Sequence, residues 1–265
     1  MEYIRIDILM NDKGIVESRE LAQKAIKKGL VKYNDKIVKK SSLKVPQDAN
    51  VELIEPPLSY VGRGGYKLEK AIKVFNIDLT DKIAMDIGAS TGGFTDCMLQ
   101  NDIKKVFAVD VGYNQLAEKL IKNNKVINME KTNIRNLEVE DIGEKVDFIS
   151  IDVSFISLTK VLPIAKKLIK TQGEIVALIK PQFEAGKDNI GKKGVVKNPN
   201  IHLEVIDNIN SFITSLGYFL TNIDYSPIKG GTGNIEYIAY ITQEISNINI
   251  DNKIQEVVRD SHNKL

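Results

Sequence analysis

The feature that most limits how this chain can fold is a succession of short apolar runs, each ending in a polar or glycine-rich loop and most followed by a helical stretch. Residues 83–87, 106–109, 126–129, 148–152 and 175–179 read as strands. Their apolar character is continuous rather than alternating, which marks strands covered on both faces, and helical connections make such a sheet parallel. Two closing runs, 218–226 and 235–242, lie close together across Gly230-Gly231-Thr232-Gly233 and are expected to pair antiparallel. The expected fold is α/β: a Rossmann-like sheet, parallel with one antiparallel strand, preceded by a small α+β module.

The loop Asp86-Ile-Gly88-Ala-Ser90-Thr-Gly92-Gly93-Phe94 follows the first of these strands and opens a helix. Its glycines let the backbone approach a ligand at the carboxyl edge of the sheet. Asp110 ends the next strand, about 20 residues on, where a carboxylate accepts hydrogen bonds from ribose hydroxyls. Dinucleotide enzymes share that arrangement, and two features favour a methyl donor instead. Asp86 stands directly before the loop, where it suits the amino-acid end of S-adenosyl-L-methionine and would repel a pyrophosphate. The loop also lacks the G-x-G-x-x-G spacing. Asn133, after the third strand, is a candidate for the adenine edge, although asparagine is at home in any turn.

The module at residues 1–58 has its own pattern. Ser18 is a plausible N-cap for a helix carrying Leu21, Ala22, Ala25 and Ile26, and Gly29 stops it. Extended pieces follow at 30–33, 37–38 and 51–54, with Asn34-Asp35 as the tight turn between the first two. Between Arg19 and Lys44 stand nine Lys or Arg against Glu20 and Asp35, so the basic charge is local although the net charge is only +2. Pro56-Pro57 breaks structure, and 59–65 reads as a glycine-rich linker with one arginine, Arg63. A second domain spans 66–245 and begins with a helix at 66–75. Residues 246–265 read as a polar tail with a short amphipathic stretch at 254–258.

Composition narrows the partners. With one cysteine, Cys97, and two histidines, His202 and His262, there is no internal disulfide and no metal-ligand cluster, and no metal is expected. No run approaches the ~20 apolar residues that span a bilayer, and the start MEYIRIDILM is interrupted by charge, so no membrane partner is expected and the protein reads as cytoplasmic.

Two resemblances rest on these motifs. Residues 1–58 resemble the S4 RNA-binding domain through Arg5-Ile6-Asp7, Ser18-Arg19 and Gly29-x-Val31-x-x-Asn34 leading to Lys40, departing at Asp35, where that family usually has glycine. The resemblance implies RNA contacts from Arg5, Arg19, Lys24, Lys28, Lys32 and Lys40; a solvated helix face would use such lysines equally well. Asp86-Ile-Gly-Ala-Ser-Thr-Gly-Gly-Phe-Thr, Ala108-Val-Asp-Val-Gly-Tyr113, Asp152-Val-Ser-Phe-Ile-Ser and Leu178-Ile-Lys-Pro-Gln-Phe-Glu184 resemble the TlyA family, which joins an S4 module to an FtsJ-like methyltransferase. That resemblance implies S-adenosyl-L-methionine as cofactor, held by Asp86, Gly88, Ser90, Gly92, Gly93, Phe94, Asp110, Asn133 and Asp152. It further implies 2′-O-methylation of cytidine in ribosomal RNA, with ribosomal RNA or ribosomal subunits as partners. The family also carries a hemolysin label.

FtsJ-like enzymes share a Lys-Asp-Lys-Glu set, and Lys67, Asp152, Lys180 and Glu236 match its order and context. A ribose hydroxyl is a poor nucleophile, so transfer to it requires a base or a strong orienting group. Lys180 ends an apolar strand, where desolvation and a second ammonium from Lys67 would lower its pKa while Asp152 and Glu236 oppose that shift. Lys180 is the expected base and Lys67 its partner. Lys187, Lys192 and Lys193 lie in a glycine-rich loop just beyond and, with Arg63, could hold an RNA backbone. Membrane-active hemolysin and non-catalytic assembly protein are the competing functions. The first needs a spanning or strongly amphipathic helix, and the second predicts that Lys180 is dispensable.

Overall fold

The computed structural model describes residues 3–16, 18–54, 59–245 and 247–265. It divides into two compact units, Met1–Ser59 and Tyr60–Leu265. The Pro56-Pro57 break lies outside the described residues.

The smaller unit runs β1 (Tyr3–Arg5), α1 (Ile6–Asp12), α2 (Arg19–Lys27), β2 (Val31–Tyr33), β3 (Lys36–Ile37), β4 (Lys44–Pro46) and β5 (Val51–Leu53). Ser18 caps α2 by accepting the Leu21 N–H, and Ala22, Ala25 and Ile26 pack with Ile6, Leu9, Met10, Val31 and Val45 into a separate core. Strand β2 pairs antiparallel with β3 and β5, and β1 with β4. Asn34 and Asp35 both take positive φ, 50° and 60°, the backbone that matches a two-residue hairpin to strand twist. The expected turn therefore forms with aspartate where the S4 pattern has glycine. Elements β1, α1 and β4 went unpredicted: at three to seven residues each, they are too short for a periodicity to show.

The larger unit continues with α3 (Gly65–Phe75), β6 (Ile83–Ile87), α4 (Gly93–Leu99), β7 (Lys105–Val109), α5 (Glu118–Ile121), β8 (Val126–Met129), α6 (Val139–Ile142), β9 (Val146–Ile151), α7 (Leu162–Leu168), β10 (Ile169–Ile179), α8 (Pro181–Glu184), α9 (Pro199–Ser215), β11 (Phe219–Tyr225), β12 (Tyr237–Thr242) and α10 (Ile250–Lys264). Seven strands form one sheet in the order β11-β12-β10-β9-β6-β7-β8. Strand β12 runs antiparallel to both its neighbours while the other adjacent pairs are parallel. All five residues of β6 are buried, as a continuous apolar run requires. One face is covered by α7, α9 and α10 and the other by α3 and α4, whose Leu68, Ala71, Phe94 and Met98 pack on Phe148 and Val176.

Two segments differ from the expectation. The stretch read as a linker is fastened into the larger unit: Tyr60 is buried, the Val61 N–H donates to Asp96 at 2.8 Å, and the Tyr60 hydroxyl donates to Glu69. Glycine content suggested freedom, but here it permits close approach. The stretch read as a tail is helix α10, which buries Ile254, Val257 and Val258. Three apolar residues at helical spacing are enough when a partner face is waiting.

Chain order in the sheet reverses between β6, which leads outward to β7 and β8, and β9, which leads to β10. The crevice outside the carboxyl ends of strands at such a reversal is where open α/β sheets bind ligands.

Candidate functional site

Three adjacent strands deliver the site. Asp152 follows β9, Lys180 follows β10, and Glu236 precedes β12, whose reversed direction brings its start to the same edge as the ends of the other two. Lys67 reaches them from the first turn of α3. The Lys67 ammonium lies 2.6 Å from Glu236 Oε2 and 3.4 Å from Asp152 Oδ2, and Lys180 Nζ lies 2.6 Å from Asp152 Oδ1. The four groups thus form a chain, Glu236–Lys67–Asp152–Lys180, with Ser154 Oγ 3.3 Å from Lys180 Nζ. Each lysine is only 7% exposed and Glu236 3%.

Electrostatics fixes the state of Lys67. Burial pushes the Lys67 ammonium down, but Asp152 and Glu236 outweigh it and its pKa is raised. Lys67 is therefore held charged, and of the opposing effects expected at this cluster the carboxylates prevail there.

Two clefts meet at these residues. One, of about 390 Å³, is lined by Lys67, Asp152, Lys180 and Glu236 together with Gly62, Arg63, Gly93 and Phe94. The other, of about 600 Å³, is lined by Asp110, Asn133, Val111, Val153 and Ile156. Gly88, Ser90, Asp152 and Phe155 belong to both. Gly88 has φ +87°, and a Cβ there would stand 2.5 Å from the Asp152 carbonyl, so this strand-to-strand approach requires glycine. Asp110 accepts the Ser90 N–H at 2.8 Å and the Gly112 N–H at 2.7 Å, which ties the loop after β6 to the end of β7.

Two of the residues expected at the cofactor do not line either cleft. Asp86 is wholly buried and accepts from Thr95 N–H, Thr95 Oγ1 and Ser150 Oγ at 2.9, 2.7 and 3.0 Å. Burial raises its carboxyl to about 6 against those donors. It fastens the start of α4 to β6 and β9 from beneath. Gly92 backs onto Leu116 and Leu120, which leave no room for a side chain. Asn133 reaches the second cleft, although its Oδ1 is engaged as a cap on Arg135 N–H.

The cationic candidates divide likewise. Arg5 and Arg19 both donate to the buried Asp7 at 3.0 Å. Burial would raise the Asp7 carboxyl, but the donors Arg5, Gln23 and Arg19 take it far below the usual carboxylate range. These two arginines hold a buried carboxylate while Arg5 stays half-buried and Arg19 exposed, a pairing that spacings of two and twelve residues did not reveal. Lys24, Lys28 and Lys40 are exposed and Lys32 half-buried; Arg63, Lys187, Lys192 and Lys193 are exposed.

Sequence reasoning passed over Phe155 and Gln182. Phe155 is 91% exposed with φ 63°, and its ring lies 5.1 Å from that of Phe183. A large apolar side chain in the left-handed region is an outlier that marks functional loops. Gln182 Oε1, among the described residues, is buried without a hydrogen-bond partner, and the residue lines the first cleft. The Ser-Phe and Pro-Gln steps directly after the two strand ends were the available signal.

The sheet, its reversal point and the cleft at its carboxyl edge define a methyltransferase fold. The FtsJ-like methyltransferase model matches residues 60–242 and the S4 domain model residues 4–51. The chain belongs to the FtsJ-like methyltransferase family and carries an S4 domain. It is 43% identical to YqxC of Bacillus subtilis (strain 168), provisionally named an rRNA methyltransferase, over 98% of this chain and 95% of that one. It is 35% identical to the 16S/23S rRNA (cytidine-2′-O)-methyltransferase TlyA of Mycobacterium tuberculosis (strain CDC 1551 / Oshkosh), over 89% of each. Among solved structures, a Streptococcus thermophilus protein under a provisional hemolysin label superposes with TM-score 0.77 at 43% identity, covering 100% of this chain and 97% of that one. No helix among the described residues is long and apolar enough to cross a membrane.

Proposed function

We propose that the chain transfers the methyl group of S-adenosyl-L-methionine to a ribose 2′-hydroxyl, that of cytidine, in ribosomal RNA or ribosomal subunits of the cytoplasm. The observation that carries this is the chain Glu236–Lys67–Asp152–Lys180 at the junction of two clefts. The relatives' names supply the substrate class.

The residues present fit the cofactor. Gly88 lets the loop after β6 lie against Asp152 where the two clefts join, Val111, Val153 and Ile156 make an apolar slot, and Asp110 stands on its lining. The orphaned Gln182 oxygen is an acceptor of the kind a bound ligand satisfies. Gly88, Ser90, Asp110, Asn133 and Asp152 would hold the adenosyl part, with Gly93 and Phe94 along the adjoining cleft and Asp86 and Gly92 shaping the loop from below. When bound, S-adenosyl-L-methionine supplies an electrophilic methyl on a sulfonium sulfur.

Lys67, kept charged by two carboxylates, orients the hydroxyl by donating to its oxygen. Lys180, beside Asp152 at the cleft, is placed to take the hydroxyl proton, and the oxygen would take the methyl group of the bound cofactor, the carbon–sulfur bond breaking to leave a neutral thioether. Asp152 holds both lysines in place, and Glu236 fixes Lys67. Phe155 offers an exposed ring against which a base can lie. Arg63, Lys187, Lys192 and Lys193, with Lys24, Lys28, Lys32 and Lys40 of the S4 domain, supply phosphate contacts.

Transfer of tritiated methyl from the cofactor to ribosomal subunits, followed by nucleoside analysis, tests the whole reading. The expected product is 2′-O-methylcytidine. Label on a base, or none on RNA, would remove it.

A further inference from the structure

Beyond the catalytic groups, two wholly buried polar side chains converge on the backbone of a single residue. Val196 closes the loop that carries Lys187, Lys192 and Lys193. Its N–H donates to Asn234 Oδ1 at 3.0 Å, and its carbonyl lies 2.9 Å from His202 Nε2. Because a carbonyl can only accept, His202 carries its proton on Nε2, and Nδ1 accepts the Tyr237 hydroxyl at 2.7 Å. Asn234 spends its remaining hydrogens on the Gly194 carbonyl at 2.8 Å and Thr232 Oγ1 at 2.9 Å. Both side chains are 0% exposed.

The location of this arrangement gives it meaning. Asn234 and Tyr237 flank Glu236, whose carboxylate holds Lys67, and the Asn234 carbonyl accepts from Gly230 N–H at 2.9 Å in the turn that lines the cleft. The loop between Gly186 and Val196 has exposed lysines and few bonds of its own, Gly191 N–H to Val195 O and Gly194 N–H to Gly191 O among them. Its far end is fixed to the same turn that presents a catalytic carboxylate. Burying an imidazole and a carboxamide is costly unless their hydrogen bonds are made, and here three of those bonds go to the loop backbone, at the Val196 N–H, the Val196 carbonyl and the Gly194 carbonyl.

We propose that His202 and Asn234 are positioning residues that clamp the Val196 backbone from both sides, so that the lysine-bearing loop grips RNA in fixed register with Glu236 and the Lys67 it holds. The clamp touches neither RNA nor cofactor, and it acts through the loop. This rests on the function proposed above.

Steady-state methyl transfer to ribosomal subunits tests it through a double-mutant cycle. His202→Leu should raise KM for RNA on the order of tenfold, the scale expected when one or two phosphates are no longer held in order. It should leave kcat within about twofold and cofactor affinity unchanged. His202→Gln, which keeps one donor and one acceptor, should restore KM. Lys187→Gln/Lys192→Gln/Lys193→Gln should raise KM comparably, and adding His202→Leu to that background should change little more, since residues acting through one another are not additive. Additive effects, a fall in kcat with KM unmoved, or failure of His202→Gln to restore KM would each overturn the clamp. Should His202→Leu not fold, Asn234→Ser enters the same cycle with the same expected non-additivity. If the unaltered protein methylates no RNA, the proposed function fails; methylation with an additive cycle removes the clamp alone.

Discussion

Lys67 and Lys180 share one carboxylate, Asp152, and what each has besides it sets their different roles. Lys67 has Glu236 as a second anion at 2.6 Å, whereas Lys180 has the neutral Ser154 hydroxyl at 3.3 Å and the Phe183 ring at 5.9 Å. On that asymmetry, Lys180→Ala should lower kcat by about 10²- to 10⁴-fold, the range of general base catalysis, with RNA affinity nearly kept because one lysine is a small part of a many-phosphate footprint. Filter binding beside methyl incorporation measures both; activity near that of the unaltered protein would reassign the base. Glu236→Gln should leave Lys67 buried with a single, longer ion pair and cost roughly 2–3 kcal/mol, somewhat under the 3–5 of a fully broken buried pair because Asp152 remains. Urea unfolding measures it. The tetrad was legible because each member flanks a strand or helix end with its own motif. The inward aim of Asp86 was not, since a sequence does not tell whether a strand-end carboxylate meets a ligand or the Thr95 and Ser150 donors packed around it.

Elements differ in how openly the sequence declares them. Strand β6 was readable end to end because all five of its residues are buried, whereas α10 shows only Ile254, Val257 and Val258 among polar neighbours. Its amphipathicity acquires meaning only beside α9 and β11, which lie far from it in the chain. The turn at Asn34-Asp35 was readable, and its residual strain is testable. Asp35 at φ 60° should gain about 0.5–1 kcal/mol on replacement by glycine, seen as a higher midpoint in denaturant, because only glycine adopts that backbone without a steric penalty. Helices α9 and α10 meet at His202 and His262, Nδ1 to Nε2 at 3.3 Å. Burial lowers the pKa of both, with the Val196 carbonyl opposing at His202. A histidine depressed in the folded state binds fewer protons there than in the unfolded chain, so stability is complete above the unfolded pKa of about 6.5 and falls as pH drops below it. Melting temperature should therefore decline from pH 7 to 5, and His202→Gln should flatten that decline; an unchanged slope would take His202 out of the account.

At the scale of the whole molecule the charge is nearly balanced, +2 over 265 residues, yet nine of the 37 Lys and Arg fall between positions 19 and 44. Arg19 is exposed while it holds the buried Asp7, and it and the lysines of that stretch are what the S4 domain can offer a polyanion. Lys24, Lys28 and Lys40 are exposed and lie in the smaller unit, Met1–Ser59, whereas the tetrad and both clefts belong to Tyr60–Leu265. Part of the affinity is thus assigned to a unit that does not carry the chemistry, and that part should come apart from it on mutation. Lys24→Gln/Lys28→Gln/Lys40→Gln should raise KM for ribosomal subunits and leave kcat and cofactor affinity as they were. It should also make the fall of log affinity with log salt shallower by about 0.7–0.9 for each phosphate no longer neutralised, the signature of released counterions. Methyl-transfer kinetics at several salt concentrations read all three quantities at once. An unaltered salt slope would mean that these lysines are only a solvated face, and that RNA is held by Arg63 and the loop of Lys187, Lys192 and Lys193 alone.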